Sequence, residues 1–152
     1  MIFYSAESSR TTHGSPECLD ACRFFAAVLF NAFSGMDKER VLFDHDEAMV
    51  MMTKIREIVR GEYRDKGESQ IRGSGYVVQS LEAALWCFLT TDSYSDAILK
   101  ATNLGDDADT TAAICGQVAG AYYGISNIPK SWLGCLTMND EINSLAVSLH
   151  KV

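Results

Sequence analysis

Asn103-Leu104-Gly105-Asp106-Asp107-Ala108-Asp109-Thr110-Thr111-Ala112-Ala113-Ile114-Cys115-Gly116-Gln117-Val118-Ala119-Gly120-Ala121-Tyr122-Tyr123-Gly124 sets three carboxylates at the mouth of a helix built from small residues. The helix is expected to open at Asp109 or Thr110 and run to Tyr123. Within it, Gly116-x-x-x-Gly120 lets a neighbouring helix pack closely. A single Asp before an apolar run reads as an N-cap that satisfies orphan backbone N–H groups. Asp106, Asp107 and Asp109 exceed that need, because a cap uses one side chain and like charges repel unless solvent or a cation takes up the excess. Carboxylates and a hydroxyl, with no Cys or His among them, suit a hard cation such as Mg²⁺ or Mn²⁺. A calcium loop of the EF-hand kind does not fit. Counting from Asp106 or Asp107, the glycine position falls on Thr111 or Ala112 and the closing glutamate position on Gln117 or Val118.

Working outward, the hydrophobic period stays helical. Ser15-Pro16-Glu17 opens a segment rich in Ala, Leu, Phe and Cys that reaches Phe33 and ends near Ser34-Gly35. It is apolar nearly all round, which predicts a central buried helix. Asp37 to Leu42 reads as a short helix. Asp44 or Asp46 then opens a longer one to about Val59, with Met49, Met52, Ile55 and Val59 at helical spacing. Val77 to Leu89 forms the next, with Val78, Leu81, Leu85 and Phe88 or Leu89 on its buried stripe. Ser93 or Ser95 caps a helix to about Ala101, a Trp132-containing turn follows Ile128-Pro129, and a last helix spans about Asn139 to Leu149. No stretch shows sustained period-two alternation. The expected fold is an all-α helical bundle, one domain over residues 1–152.

Hydrophobic residues make up 47 % of the 152 and charged residues 22 %, which is the balance of a globular chain able to bury a core. The net charge of −7 disfavours nucleic-acid backbones and anionic membranes as partners. Cys18, Cys22, Cys87, Cys115 and Cys135 are odd in number and lie mostly in apolar helical patterns, so they read as reduced core residues of a cytoplasmic protein. The opening residues lack the basic and apolar regions of a signal peptide, and no apolar run is long enough to span a bilayer.

Other segments carry candidate chemistry. Ser9-Arg10-Thr11-Thr12-His13-Gly14 precedes the first long helix, where hydroxyls and His13 either cap and turn the chain or meet an anion. Gly73-Ser74-Gly75-Tyr76 allows a tight backbone and close ligand approach, and Tyr76 is either a stacking surface or a core aromatic. Glu82, between Leu81 and Ala83, reads as a core acid that needs a basic partner. His45 and His150 read as surface or packing residues.

The run Gly73-Ser74-Gly75-Tyr76-Val77-Val78-Gln79-Ser80-Leu81-Glu82-Ala83-Ala84-Leu85-Trp86, followed by Asn103-Leu104-Gly105-Asp106-Asp107-Ala108-Asp109-Thr110, closely resembles the ADP-ribosylglycohydrolase family of the dinitrogenase-reductase-activating type. Ser9-Arg10-Thr11-Thr12-His13 and the helix after it are similar too, so the resemblance covers nearly the whole chain. It implies a compact all-α bundle around a pair of Mg²⁺ or Mn²⁺ ions. It further implies Asp107, Asp109 and Thr110 as metal ligands, with Asp106 a supporting or capping acid. By the same resemblance Tyr76 would contact the nucleotide, Ser74 and Gly75 would line the ADP-ribose cleft, and His13 would lie at its rim. The implied reaction is metal-assisted hydrolysis of the glycosidic bond between ADP-ribose and an acceptor on a protein or small molecule.

One departure stands against the match. The family begins with a Gly-rich helix, a Thr-Asp-Asp-Thr-like segment and a catalytic acid, and none of these is found in this sequence; Thr90-Thr91-Asp92 does not match. The chain is therefore expected to correspond to the C-terminal half of the family fold, with the catalytic acid outside it. Two readings follow. Either this is a hydrolase completed by the other half or by self-association, or it is an incomplete or non-catalytic chain that binds ADP-ribose or a partner without cleaving.

Overall fold

The computed structural model describes residues 1–151, and among them there are helices and turns but no strand. The first helix, α1 (Ile2–Arg10), lies along α2 (Pro16–Phe33). Ser15 starts α2 with an extended backbone, its Oγ accepting from the Cys18 N–H at 3.3 Å, with Pro16 at the first position and Glu17 in the first turn. The helix stops as expected at Ser34-Gly35, where Gly35 takes φ +72°. α3 (Lys38–Phe43) follows, capped by Asp37 through the Arg40 N–H.

The long helix expected from Asp44 or Asp46 to Val59 is interrupted. A 3₁₀ turn at Glu47–Met49 gives way to extended backbone, and only Thr53–Val59 forms α4. Asp20 of α2, 2 % exposed, explains the break. Its Oδ2 accepts from the Met51 and Met52 N–H groups at 2.6 and 2.7 Å, while Oδ1 accepts from Arg23 Nη1 at 2.6 Å. A buried carboxylate needs such donors, and backbone N–H groups turned toward it are unavailable to a continuous helix. Local periodicity lost to a tertiary acceptor.

α5 (Val77–Leu89), α6 (Tyr94–Asn103) and α7 (Ala108–Tyr123) complete the packed body. α2, α5 and α7 pack on one another around Phe24, Val28, Leu81, Leu85, Phe88 and Val118, all buried. Such side chains each contribute about 1.5–3 kcal/mol by leaving water. Glu82 finds its basic partner in Lys66, Nζ to Oε1 at 2.6 Å. His45 is a packing residue: Nε2 donates to the Val41 carbonyl at 2.8 Å, and its ring sits edge-on to Phe24. Gly116 and Gly120 face α6, where a Cβ on Gly116 would lie 3.4 Å from Ile98 Cδ1 and 3.7 Å from the Tyr94 hydroxyl.

Burial departs from expectation in three places. Phe30 and Phe33 leave one flank of α2 exposed, 54 % and 75 % respectively, so that helix is central without being covered all round. Cys135 is exposed and Cys18 and Cys22 are half-buried, whereas Cys87 and Cys115 are core thiols that burial pushes up to about 12. The Trp132 turn is a short helix, α8 (Lys130–Cys135), and with α9 (Asn139–His150) it buries no residue of its own. Among the described residues no helix is long and apolar enough to cross a membrane.

Candidate active-site cleft

A cleft of about 870 Å³ opens between α1, α2, α5 and α7. Beside it two loops are held together by the backbone. The Asp107 N–H donates to the Gly73 carbonyl at 2.8 Å, joining the acid turn before α7 to the glycine loop before α5. The approach is closest at Gly73. A Cβ on Gly73 would sit 2.7 Å from the Thr111 Oγ1, and one on Gly75 would sit 3.3 Å from the Asp107 Oδ2.

The acid turn is bent by two consecutive left-handed residues, Gly105 at φ +74° and Asp106 at φ +56°. For Asp106 this is a costly conformation that a short polar side chain tolerates. It separates the three acids. Asp106 lines a second pocket with Glu68, Arg72, Gly73 and Asn103. Asp107 takes the N-cap position without capping, since its side chain accepts no helix N–H; the helix opens at Ala108, one residue earlier than expected. Asp109 faces Asp107. Hydrogen bonding with Asp107, then the N–H groups of Asp109 and Thr110, hold the Asp109 carboxyl below the usual carboxylate range.

Thr110 lines the cleft beside these carboxylates, as do His13, Gly75 and Tyr76. The structure thus gathers His13, Gly75, Tyr76 and Thr110 on one cavity, with Asp107 against Gly75. Ser74 is not part of the cleft wall. Its Oγ bonds the Gln79 side chain and accepts from the Tyr76 N–H at 3.2 Å, which tightens the turn into α5. Tyr76 occupies the N-cap position of α5 and is 36 % exposed, so the core reading of that aromatic does not hold.

Ser5, Ser8 and Ser9 line the cleft along α1, a helix not expected from the opening residues, and Thr12 lines it from the turn that follows. Glu17, Cys18 and Cys22 of α2 line it as well.

Among the described residues no group of three or more His, Cys, Asp or Glu side chains gathers as a metal site. The donors nearest the cleft are the Thr110 hydroxyl, which lines it, and the carboxylates of Asp107 and Asp109, which stand beside it without lining it. In kind they fit a hard cation, since among the described residues neither carboxylate has a basic partner. In number they fill part of its coordination sphere.

An acid-rimmed cleft in an all-α bundle, with a glycine loop beside the acids, defines a class that comparison with known proteins identifies. The chain belongs to the ADP-ribosylglycohydrolase family, whose model matches residues 1–152. It is 44 % identical over 145 residues to the ADP-ribosylarginine hydrolase Tri1 of Serratia proteamaculans (strain 568), covering 95 % of this chain and 39 % of that protein. It is 31 % identical to the ADP-ribosyl-[dinitrogen reductase] glycohydrolase of Rhodospirillum rubrum, covering 88 % and 42 %. A solved structure described as an ADP-ribosylglycohydrolase-related protein complex superposes with a TM-score of 0.91 at 36 % identity, over 99 % of this chain and 52 % of that one. The chain therefore spans about four-tenths of the length of these curated relatives.

Proposed function

We propose that this chain binds ADP-ribose in the cleft and serves hydrolytic removal of ADP-ribosyl groups. The observation that carries the reading is the joining of the Gly73–Tyr76 loop to the Asp107 turn beside the cleft. The names of the relatives supply the chemistry, and that of Tri1 points to arginine as the acceptor. In this reading Tyr76 offers its ring to the nucleotide, Gly75 lets the ligand approach the backbone, and His13 bonds the ligand at the rim. Asp107, Asp109 and Thr110 hold Mg²⁺ or Mn²⁺, which when bound supplies a Lewis acid and a template for ribose hydroxyls and water. Water adds across the anomeric bond, giving ADP-ribose and the freed acceptor.

The partial donor set favours a second reading, in which the chain binds ADP-ribose and cleaves only with complementary residues supplied from outside the described set. Calorimetric titration of ADP-ribose, with and without Mg²⁺, separates the possibilities when run beside Asp107→Ala/Asp109→Ala and a cleavage assay on ADP-ribosylarginine. Magnesium-dependent binding that the double variant loses supports the site. Binding with cleavage supports the hydrolase, and binding without cleavage the second reading. No binding in any condition rejects both.

A further inference from the structure

Tyr76 is held from two sides by residues of different helices. Its hydroxyl donates to Glu17 Oε2 of α2 at 2.7 Å and accepts from Lys54 Nζ of α4 at 3.1 Å. The same ammonium is 5.0 Å from the ring centroid, on the hydroxyl side of the ring. Lys54 does not line the cleft, whereas Tyr76 does. A ring whose hydroxyl is tied at two points by charged partners has few orientations left. Lys54 is in turn placed by Asp20, whose grip on the Met51 and Met52 N–H groups fixes where α4 begins.

We infer that Lys54 is a positioning residue that sets the orientation of the Tyr76 ring and thereby the affinity of the cleft for a ligand carrying a nucleobase. It acts through Tyr76 and touches no ligand. The affinity half of this inference rests on the cleft being the ADP-ribose site; the positioning half stands on the contacts alone. Ordering one aromatic side chain before binding is worth about three- to tenfold in affinity.

The test combines two measurements on the full chain. In the first, ADP-ribose and ribose 5-phosphate are titrated into the wild type, Lys54→Met, Lys54→Arg, Tyr76→Ala and Tyr76→Ala/Lys54→Met. Lys54→Met is expected to weaken ADP-ribose by about three- to tenfold and to leave ribose 5-phosphate, which has no base, unchanged. Lys54→Arg restores part of the loss, and Lys54→Met is silent in the Tyr76→Ala background. An equal loss for both ligands, or the same loss with and without the Tyr76 ring, overturns the inference. In the second, ¹⁹F spectra of ligand-free protein carrying 3-fluorotyrosine follow Tyr76, identified by Tyr76→Phe. Lys54→Met is expected to move or narrow that signal toward free fluorotyrosine, and an unchanged signal overturns the positioning role. If the wild type binds no ADP-ribose, the proposed function and the affinity half fall together, and the spectrum alone decides whether Lys54 positions the ring.

Discussion

Asp20, one turn into α2, and the Asp107–Asp109 pair at the start of α7 are carboxylates of one bundle in opposite circumstances. Asp20 is sunk among three donors of its own chain, and its charge is spent inside the fold. Asp107 and Asp109 face one another, and among the described residues no basic side chain pairs with either. Acids saturated from within hold a structure together, while acids in excess of their internal donors are kept for something that arrives.

The sharpest break of this contrast is Asp20→Asn, expected to cost on the order of 3 kcal/mol because Arg23 and the turned N–H groups lose their charged acceptor. Chemical denaturation measures it, and a loss within the range of a surface ion pair would erase the distinction. Next comes Gly73→Ala, expected to cost about 2 kcal/mol by overpacking against Thr111. Adding Thr111→Ala should return most of the lost stability in the same denaturation curve. Thr111 Oγ1 is buried with no hydrogen-bond partner, so Thr111→Val alone should stabilise by about 1 kcal/mol.

Asp107→Asn/Asp109→Asn is the counterpart of Asp20→Asn. Without metal its Tm should hold or rise as like charges are removed, while Mn²⁺ affinity drops by at least about tenfold. A fall in Tm without metal would show these acids to be structural after all. The smallest effect concerns pH. Burial holds His45 below its ordinary value, outweighing the Val41 hydrogen bond and Asp44. The unfolded chain therefore takes up the proton first, so stability is full above about pH 6.5 and declines toward pH 5.5. Thermal melts of His45→Gln should lack part of that decline.

Most of the helical pattern was legible because each element carries its own start and stop: Ser15-Pro16, Asp37, Ser93 and Gly35 act within a turn of where they stand. Val50–Met52 was illegible because its deciding partner, Asp20, lies some thirty positions away. At the cleft, the glycine loop and acid turn were visible as residue types. Their hydrogen bond was not, nor was the absence of Ser74 and Asp106 from the cavity wall. Lys54 gave no signal, since a lysine on an amphipathic helix looks like any solvated face.

The glycines of α7 have a consequence for tolerance to mutation. Gly116 lies two turns beyond the acids, yet it sets the distance between α7 and α6, whose C-terminal end feeds the Asn103–Asp107 turn. Alanine just fits there; a branched side chain meets Ile98 and Tyr94 and drives the helices apart. In a saturation mutagenesis scan scored for ligand binding, Gly116 should tolerate little beyond alanine and fall among the cleft residues, so the map of sensitive positions will extend well past the surface a ligand touches.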